Sequence, residues 1–556
     1  MKQLPQRSNV DHLKRQAKDL LVLYRRCDVT AIARFRSALP AAAGKDDQAI
    51  SQLGLRLHDA QSCLAREYGF SSWADLKSFV EVCNAQSVSF SQSVLKWLRL
   101  IYAGDIAGGA NRARPLVAAR LLKENPGLIG GDPYVACATG DLAKLRQATK
   151  ESRTWLNTPG GPLKLPPLVA VTHSSLLRLA DFRNPLRASA KFLLEAGADP
   201  NQAAGSRWPP ASLSEPSETF RLSALYGAAG QNHDPELTGL LLEAGADPND
   251  NESLYHSLED HACTRLLLDA GARVAGSNAL YHVLDLDDID ALRLLLSHGA
   301  NANEPATSSP TADWGSPLLW AIRRRRSRDH ISALLEAGAD ALATTPDGAD
   351  AYTLAERFGL VDVADLLRRT GAATLLSKEE EFVAACARGD RAASQRIQSE
   401  RPDLPGALPE KQLRLLPELA ALGCDDAVRL MVELGWPIAI RGGDWNASAL
   451  NHAVFRGDAA LSRFLLQRGA SWMEQHGHDD NACGTLSWAS RNEPVDGGNW
   501  LGCAEALLAH GMPSAQPDPR GPESVIINGQ RKWFSDDVAE FLLAAGNANG
   551  DPRLTA

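Results

Sequence analysis

The side chains best suited to binding a metal ion lie together in one segment, HGHDDNAC, at residues 476–483. Imidazole, carboxylate and thiolate groups are the ligand types that zinc and related metals prefer. The segment supplies these groups from His476, His478, Asp479, Asp480 and Cys483. It also falls in the polar stretch after Gly469-Ala470, where a loop is expected. We therefore expect a solvated loop or a loop hydrogen-bonded to its neighbour, with a partner-contact loop and a metal site as alternatives.

Motifs for nucleotide binding or covalent catalysis do not occur in the sequence. The nearest approach to a phosphate-binding loop, AAAGKD at residues 41–46, lacks the first glycine and the hydroxyl residue. Neither a G-x-S-x-G turn nor an H-E-x-x-H helix is present. We therefore expect no catalytic residue, no metal and no other cofactor, and we predict that the chain is not an enzyme.

Charge and composition limit the classes of partner. The net charge of −9 argues mildly against nucleic acid as the main partner. One basic run, Arg323–Arg328, is predicted at the turn between two helices, either solvated or in contact with an acidic or nucleic-acid partner. No signal peptide and no run of about 18 apolar residues is present, so we expect no membrane association. The nine scattered cysteines favour reduced thiols and a cytoplasmic location.

Tryptophan is concentrated near the end of the chain. Six of the twelve tryptophans lie in the last third: Trp436, Trp445, Trp472, Trp488, Trp500 and Trp533. Trp445 and Trp472 fall in the polar segments GGDWNAS and GASWMEQHGHDD, where exposed aromatic side chains would suit binding anchors. The alternative is that they cap neighbouring loops and stiffen the array. Our candidate partner-binding residues are Trp445, Asn446, Trp472, Glu474 and His476.

The elements that position these residues are indicated by a repeated string, EAGADPN, at residues 195–201 and again at 243–249. Each copy follows a leucine-rich run. Glycine suits the position just after a helix because it adopts the left-handed conformation without a clash, and Asp-Pro-Asn then favours a turn. The repeated string therefore predicts the end of a helix and the start of a polar loop.

The same helix-ending pattern recurs along the chain. Its glycines are Gly197, Gly245, Gly271, Gly299, Gly338, Gly371, Gly435, Gly469, Gly511 and Gly546. Most of the intervals between them centre near the low thirties, and the interval of 64 residues could hold two units. Two units can be read in full, at residues 355–372 and 453–470, each with an alanine, a glycine four residues later and Gly-Ala after twelve more. This spacing predicts a short helix, a turn, a second helix and a loop.

A helix–turn–helix repeat of about 33 residues that starts with T-P-L-H-x-A resembles the ankyrin repeat. Residues 316–321, SPLLWA, match that start closely, and residues 448–453, SALNHA, match it loosely. The resemblance implies an all-α ankyrin-repeat solenoid over residues 126–556, with about ten to twelve units, several of them degenerate. It also implies that stacked units bury their leucine faces and leave a concave surface of loops and first helices. In ankyrin proteins that surface usually binds other proteins.

The first 85 residues have a different pattern. Apolar side chains in residues 10–28 recur on one helical face, at Leu13, Ala17, Leu20, Leu21 and Tyr24. Farther on, Gly69 is predicted to end one helix, and Ser72 with Asp75 to form the capping box of the next. Residues 1–85 resemble the helical region often found ahead of bacterial ankyrin arrays, and residues 86–125 are predicted to be a linker or a degenerate repeat.

These observations favour a cytoplasmic, bacterial, non-catalytic scaffold that binds a protein partner on the loop and concave side of an ankyrin solenoid. We expect no small-molecule substrate and consider nucleic acid unlikely. Two alternatives stay open at this point: a regulatory or effector protein with its activity in the N-terminal region, and a nucleic-acid-associated regulator that uses the Arg323–Arg328 run.

Overall fold

The protein is mainly helical in its computed structural model, which describes residues 2–5, 8–86, 89–109, 112–520 and 524–548. Helices account for 57% of the chain. The strands among the described residues have two or three residues each. The prediction of an all-α repeat fold is confirmed. The chain forms two compact units, which we call the N-terminal unit (Met1–Ala300) and the C-terminal unit (Asn301–Ala556).

The N-terminal unit begins with eight helices. They are α1 (Val10–Arg25), α2 (Val29–Ala38), α3 (Asp47–Ser51), α4 (Leu57–Glu67), α5 (Trp73–Gln86), α6 (Phe90–Ile101), α7 (Gly104–Ala107) and α8 (Pro115–Glu124). The predicted apolar face of α1 is confirmed, because all five of its residues are buried. Gly69 follows α4 with a φ of 80°. The Ser72 hydroxyl accepts a hydrogen bond from the Asp75 amide, while the Asp75 carboxylate bonds to Ser71 instead of completing the box.

Helix pairs follow in the rest of this unit. They are α9 (Pro133–Cys137) with α10 (Leu142–Glu151), α11 (Pro167–Thr172) with α12 (Ala180–Ala196), α13 (Ala224–Tyr226) with α14 (Pro235–Glu243), α15 (Ser253–Ser257) with α16 (His261–Asp269), and α17 (Ala279–Leu286) with α18 (Ile289–Ser297). Helix α13 continues into a π-helix, Gly227–Gln231. Two short strands, β1 (Ala203–Gly205) and β2 (Arg221–Ser223), form an antiparallel hairpin between α12 and α13.

The C-terminal unit repeats the arrangement. Its helices are α19 (Pro317–Arg323) with α20 (Arg328–Glu336), α21 (Ala351–Arg357) with α22 (Val361–Arg369), α23 (Lys378–Ala387) with α24 (Arg391–Glu400), the short α25 (Glu410–Leu413), α26 (Leu415–Ala421) with α27 (Asp425–Glu433), α28 (Ala449–Phe455) with α29 (Ala459–Gln467), α30 (Ala482–Asn492) with α31 (Trp500–Ala509), and a last helix, α32 (Asp536–Ala548). The interval of 64 residues before Gly435 holds two pairs, as the spacing allowed.

Five strands accompany these helices. They are β3 (Arg441–Gly442), β4 (Ala447–Ser448), β5 (Gln516–Pro517), β6 (Val525–Ile527) and β7 (Gln530–Lys532). β3 and β4 form a hairpin ahead of α28, and β5, β6 and β7 form an antiparallel sheet ahead of α32. The sheet therefore stands where the repeat pattern would place the first helix of the last unit.

Many helices of the pairs start at side-chain caps. Second helices commonly begin at an aspartate whose carboxylate accepts an amide hydrogen bond from the first turn, as Asp288 does from Ala291. First helices commonly begin at a serine, as α19 does at Ser316 ahead of Pro317. These caps satisfy backbone amides that have no partner inside the helix. The SPLLWA start of the repeat is thus an N-cap followed by a proline in the first turn, where its missing amide costs nothing.

Nine of the ten predicted helix-ending glycines have a positive φ: Gly197, Gly245, Gly271, Gly299, Gly338, Gly371, Gly435, Gly469 and Gly511. The prediction is wrong for Gly546. This glycine lies inside α32, which continues to Ala548. The amphipathic pattern of α32 needs no break there, and the FLLAAGN string alone could not show that the helix continues.

The repeated EAGADPN string forms a side-chain clamp between neighbouring helix pairs. The Asn201 amide donates from Nδ2 to the Gly245 carbonyl at 3.3 Å, and its Oδ1 accepts from the Asp247 amide at 2.8 Å. Asn157 makes the same two bonds to Gly197 and Asp199, at 3.0 and 2.8 Å. One asparagine thus pairs with the carbonyl and the amide that the next helix end leaves without partners.

The asparagine clamp recurs in both units. Asn249 bonds to Gly271 and Arg273, and Asn303 bonds to Gly338 and Asp340.

Within the described helices, none is long and apolar enough to cross a membrane. The boundaries at residues 85 and 125 stay predictions.

Asn201→Ala should lower the free energy of unfolding by about 1 kcal/mol, because two hydrogen bonds at the edge of the unit are lost. Asn201→Asp keeps the acceptor for the Asp247 amide but places a carboxylate oxygen, which cannot donate, against the Gly245 carbonyl, so it should destabilise at least as much as Asn201→Ala. Urea unfolding followed by circular dichroism measures both. Equal stability of wild type and Asn201→Ala would show that the clamp does not contribute to stability.

Gly469→Val should destabilise the C-terminal unit by about 1–2 kcal/mol, because φ is 100° and a β-branched residue is strained there. A Cβ at this position meets nothing within 4 Å, so the cost comes from the backbone alone. Gly469→Asn is the matched control, since asparagine tolerates left-handed conformations. Thermal melting should separate the two variants, and a Val variant that melts like the Asn variant contradicts the assignment.

Candidate functional site

The candidate site is built on the β3–β4 hairpin, which carries Trp445 and Asn446 at its turn. Arg441 pairs with Ser448 and Gly442 with Ala447. The Asn446 amide donates to the Gly443 carbonyl at 3.2 Å, and Asn446 has a φ of 49°. This tight turn projects Asp444 and Trp445 from a short and well-bonded hairpin.

A group of ion pairs anchors the hairpin to two helices. The buried Arg323 guanidinium lies 2.8 Å from a Glu418 oxygen and 2.7 Å from an Asp444 oxygen. The other Glu418 oxygen accepts the Gly443 amide at 3.0 Å. Burial opposes ionisation of Asp444, but Arg323 and Arg324 outweigh it and hold the pKa of this carboxyl below its usual value. The turn is therefore fixed by charges on α19 and α26.

The basic run Arg323–Arg328 lies at the turn between α19 and α20, as predicted, but the turn is only partly solvated, because Arg328 is exposed while Arg324, Arg325 and Arg326 are partly buried. Arg323 is only 3% exposed and lies over the rings of Trp314 and Trp320, 4.8 Å from each centroid. Arg325 donates to the Phe358 carbonyl, and Arg326 donates twice to the Arg324 carbonyl. Because these guanidinium groups serve internal contacts, the run gives no support to a nucleic-acid interface.

The HGHDDNAC segment forms a loop that bonds to the hairpin. The Gly477 amide donates to the Trp445 carbonyl at 3.0 Å, and a Cβ on Gly477 would lie 2.8 Å from that oxygen. Asp480 forms a 2.6 Å ion pair with Lys532. The expectation of loop–loop hydrogen bonding is confirmed. In the part of the chain that the structure describes, no three metal-ligating side chains are arranged to hold an ion.

The five candidate residues differ in their exposure. Trp445 and Glu474 are partly exposed, and Asn446 is exposed. Trp472 is only 8% exposed and His476 only 7%, so the expectation that Trp472 is an exposed anchor is wrong. The loop folds inward at these two residues, where the Trp472 carbonyl accepts the Ala482 amide at 3.2 Å. Polarity of the flanking residues did not reveal this burial.

Glu474 and His476 make hydrogen bonds that stabilise the loop in which they lie. The Glu474 carboxylate accepts the Ser471 amide at 2.8 Å, and the Glu474 carbonyl accepts Nδ2 of Asn451 at 3.0 Å. Burial raises the pKa of Glu474 and lowers the pKa of His476. His476 Nδ1 accepts the His478 amide at 3.2 Å. Their side chains thus support the loop beneath Trp445.

Trp445 rests on imidazole and aromatic rings. Its ring lies 4.8 Å from His452, 5.0 Å from His476 and 5.7 Å from Phe455, measured between centroids. His452 donates from Nε2 to the Gly442 carbonyl at 3.1 Å. Burial lowers the pKa of His452 to about 4, so this imidazole is neutral at neutral pH. The His478 ring lies nearly parallel to Trp445 as well, with centroids 6.5 Å apart, and Trp445 stays partly exposed among these rings.

The contacts continue to a tryptophan that our sequence analysis did not select. Phe455 stacks on Trp488 with centroids 5.5 Å apart and planes 8° apart, and Trp488 is 53% exposed. We call Trp445, Phe455 and Trp488 the aromatic strip. Trp533, 42% exposed, lies beside it, since its backbone amide and carbonyl bond to the hydroxyl of Ser487.

A sequence signal for Trp488 exists. It lies two residues after the buried Leu486, as His452 lies two residues after Leu450 and Trp320 two after Leu318. Two residues of an α-helix span about 200°, so this position faces away from the buried leucine. Arg324 covers Trp320 and Trp445 covers His452, while Trp488 is open.

Comparison with known proteins adds little. No protein-family model matches the chain. No curated protein matches it either. Among matching solved structures, the ankyrin repeat domain of human ASB11 is 22% identical, with a TM-score of 0.20, and the match covers 42% of this chain and 99% of that domain. At this level the match carries no argument, and the fold assignment rests on the helix pairs themselves.

Acidification should destabilise the C-terminal unit through His452. Because burial lowers its pKa from 6.5 to about 4, the unfolded state binds more protons between these values, and the free energy of unfolding falls as the pH drops through this window. When the pH is lowered from 7.5 to 4.5, the free energy of unfolding of His452→Gln should fall by about 2 kcal/mol less than that of wild type. Exposed His510→Gln is the control in urea titrations, and identical losses in all three proteins would contradict the assignment.

Proposed function

We propose that this chain is a non-catalytic scaffold that binds a protein partner through the aromatic strip of Trp445, Phe455 and Trp488. The observation that carries the proposal is the half-exposed Trp488 ring, which lies on a helix and stacks on Phe455. A rigid, exposed tryptophan loses little side-chain entropy on binding, and tryptophan is enriched among the residues that dominate interface energies.

The charges around the strip favour an apolar contact. Asp444 is neutralised by Arg323 and Arg324, Asp480 by Lys532, and Arg456 lies 3.1 Å from Asp425. Because these charges are paired internally, they leave no strong field of one sign at the strip. We therefore infer that the partner presents an aliphatic or aromatic side chain that packs on Trp488.

The buried thiols support a non-catalytic role. Burial raises the pKa of Cys63, Cys263, Cys386, Cys483 and Cys503 to about 12. At neutral pH these thiols stay protonated, and a protonated thiol is a poor nucleophile. All nine cysteines are free, which supports our proposal of a cytoplasmic location. Bacterial origin stays a prediction.

Trp488→Ala should weaken partner capture at least tenfold, because tryptophan anchors typically contribute about 2 kcal/mol or more. The bait proteins are wild type, Trp488→Ala and Trp208→Ala, used in pull-downs from cells that contain the native protein. Trp208, also 53% exposed, lies in the N-terminal unit and is the matched control. Mass spectrometry identifies proteins kept by wild type and Trp208→Ala but lost by Trp488→Ala.

The melting temperature of Trp488→Ala should stay close to that of wild type, since more than half of the side chain is in solvent. Affinities for the identified protein are then measured with purified components. Equal capture by wild type and Trp488→Ala would mean that the aromatic strip is not the partner surface.

A further inference from the structure

A segment ahead of the helix pairs, residues 102–108, contacts the first helices of the N-terminal unit, and we call it the strap. Tyr102 of the strap is buried, and its hydroxyl donates to the Ala170 carbonyl at 2.6 Å. Ala170 follows the buried Leu168 by two residues, the same position as Trp488 in the C-terminal unit. The strap therefore covers part of a face that stays open at Trp488.

The strap is also bonded to the loop of the β1–β2 hairpin and to the π-helix. The Arg207 amide donates to the Asp105 carbonyl at 2.7 Å, and the Arg207 guanidinium donates to the Ile106 carbonyl. The Asp105 carboxylate accepts the Ile106 amide at 2.9 Å and also accepts a hydrogen bond from the Gln231 side chain. Asp105 is thus the residue at which the strap meets the π-helix.

Three consecutive contacts, which we call the hydrogen-bond chain, join Asp105 to the backbone of β2. The Gln231 amide bonds to Asp105 on one side, and on the other side its oxygen lies 2.8 Å from Nδ1 of His173. Nε2 of His173 lies 2.8 Å from the Ser223 carbonyl oxygen. The hydrogen-bond chain therefore links the strap, the π-helix, the end of α11 and β2.

Each of the three contacts needs one proton between its two heavy atoms. The Gln231 amide supplies one, whichever way it is turned, because its NH2 group faces one neighbour while its oxygen faces the other. Neutral His173 supplies a second, and the Ser223 carbonyl can only accept. The third proton must come from a doubly protonated imidazole or from a protonated Asp105 carboxyl.

Loss of the third proton leaves two acceptors facing each other in the hydrogen-bond chain. An ionised Asp105 and a neutral His173 leave only two protons for three contacts. Neither rotation of the Gln231 amide nor a change of imidazole tautomer supplies the missing one. Because a buried polar contact without its proton is costly, the docked strap binds a proton that the released strap gives up.

Burial acts in the same direction on the two titrating groups. It raises the pKa of the Asp105 carboxyl and lowers the pKa of His173, so it favours the neutral form of each. The third proton then lies on Asp105 and faces the oxygen of the Gln231 amide, while the NH2 group of that amide faces Nδ1 of His173.

Other charged and titratable groups face the hydrogen-bond chain from the elements around it. Asp250 accepts from two serine hydroxyls, and Glu252 lies 3.3 Å from His256. Arg178 donates to the Gln231 carbonyl. The facing side chains are Arg178, Arg207, Tyr226, Asp250, Glu252 and His256.

Further titratable groups lie along a cavity of about 290 Å3 that His173 and Gln231 help to line. They are His233, Glu259 and His282. Because imidazole is the side chain whose ordinary pKa lies nearest neutrality, a neighbouring histidine is the control that a pH experiment needs here.

We propose that the hydrogen-bond chain makes docking of the strap depend on one proton, so that the strap stays bound at neutral pH and is released in alkaline solution. Release uncovers the face of the first helices that includes Ala170. This switch is independent of the aromatic strip, since all of its residues belong to the N-terminal unit.

The direction of the pH dependence follows from the proton count. Once the strap is released, water reaches Asp105 and His173, and their pKa values return to the ordinary 3.8 and 6.5. Above pH 6.5 the released groups hold no proton between them, while the docked chain still holds one. The equilibrium constant for release therefore rises tenfold per pH unit until the docked chain also loses its proton.

Hydrogen–deuterium exchange of the full chain at pH 6.5 and pH 8.5 measures this release. The reporters are the amides of Ile106, Ala107 and Gly108, which bond to carbonyls of the preceding turn. A helix of four residues does not persist alone, so release exposes these amides to exchange. Their protection factors in wild type, corrected for the intrinsic exchange rate, should fall at least tenfold between the two pH values, while α10 keeps its protection. A smaller fall, or an equal fall in α10, overturns the proposal.

Asp105→Asn tests whether the third proton is the cause. The side-chain NH2 group of the variant replaces the carboxyl O–H as the donor to Gln231, and it does not titrate. Protection of the strap should then be about equal at the two pH values, and at pH 8.5 it should exceed that of wild type at least tenfold. A fall as large as that of wild type overturns the proposal.

His256→Gln is the matched control, because His256 faces Asp105 but lies outside the hydrogen-bond chain. This variant should keep the wild-type fall, and loss of the fall would assign the pH dependence to His256 instead. Gln231→Leu removes both bonds of the amide, so strap protection should be low at both pH values. Circular dichroism checks that the variants are folded, and a wild-type fall in folded Gln231→Leu also overturns the proposal.

Discussion

The asparagine clamp is the interaction on which the rest of the structure depends. A primary amide carries one acceptor and two donors, so a single asparagine can pair with both the carbonyl and the amide of a neighbouring helix end. Asn201 does this with Gly245 and Asp247. The bond pattern requires a glycine at one helix end and an asparagine in the loop before it, while the amide two residues after the glycine belongs to Asp247 in one clamp and to Arg273 in another. The EAGADPN string carries the glycine of one clamp and the asparagine of the next, which explains why it occurs twice.

The clamp ties neighbouring helix pairs together at Asn157, Asn201, Asn249 and Asn303. On the first helices, the residue two positions after the buried leucine faces away from that leucine. In the C-terminal unit this position holds His452 and Trp488, and in the N-terminal unit it holds His256 and His282. The same place in the repeat thus carries an exposed tryptophan in one unit and imidazoles in the other.

The sequence predicted the local features of this arrangement well, because they depend on local rules. Glycines such as Gly469 end helices since only the backbone conformation is at stake, and the apolar face of α1 follows from helical periodicity alone. Features made by distant residues were missed. Arg323 is buried because Glu418, 95 residues away, reaches it, and Trp472 is buried because its loop folds inward. A cavity of the N-terminal unit likewise joins residues from Ile101 to His282.

The repeat has structural positions and variable positions, and this separation explains how the same place in the repeat can carry different side chains. The stability of stacked repeats is approximately a sum over units and their nearest neighbours. The clamp, the capping residues and the buried leucines supply those terms. The residue two positions after the leucine varies in type, with tryptophan at position 488 and histidine at position 282. Where such a residue is covered from within, as Trp320 is by Arg324, it becomes part of the scaffold. Where it stays open, as at Trp488, the ring is exposed to solvent. Contact with a neighbouring side chain, and not the type of residue, therefore distinguishes the covered positions from the open ones.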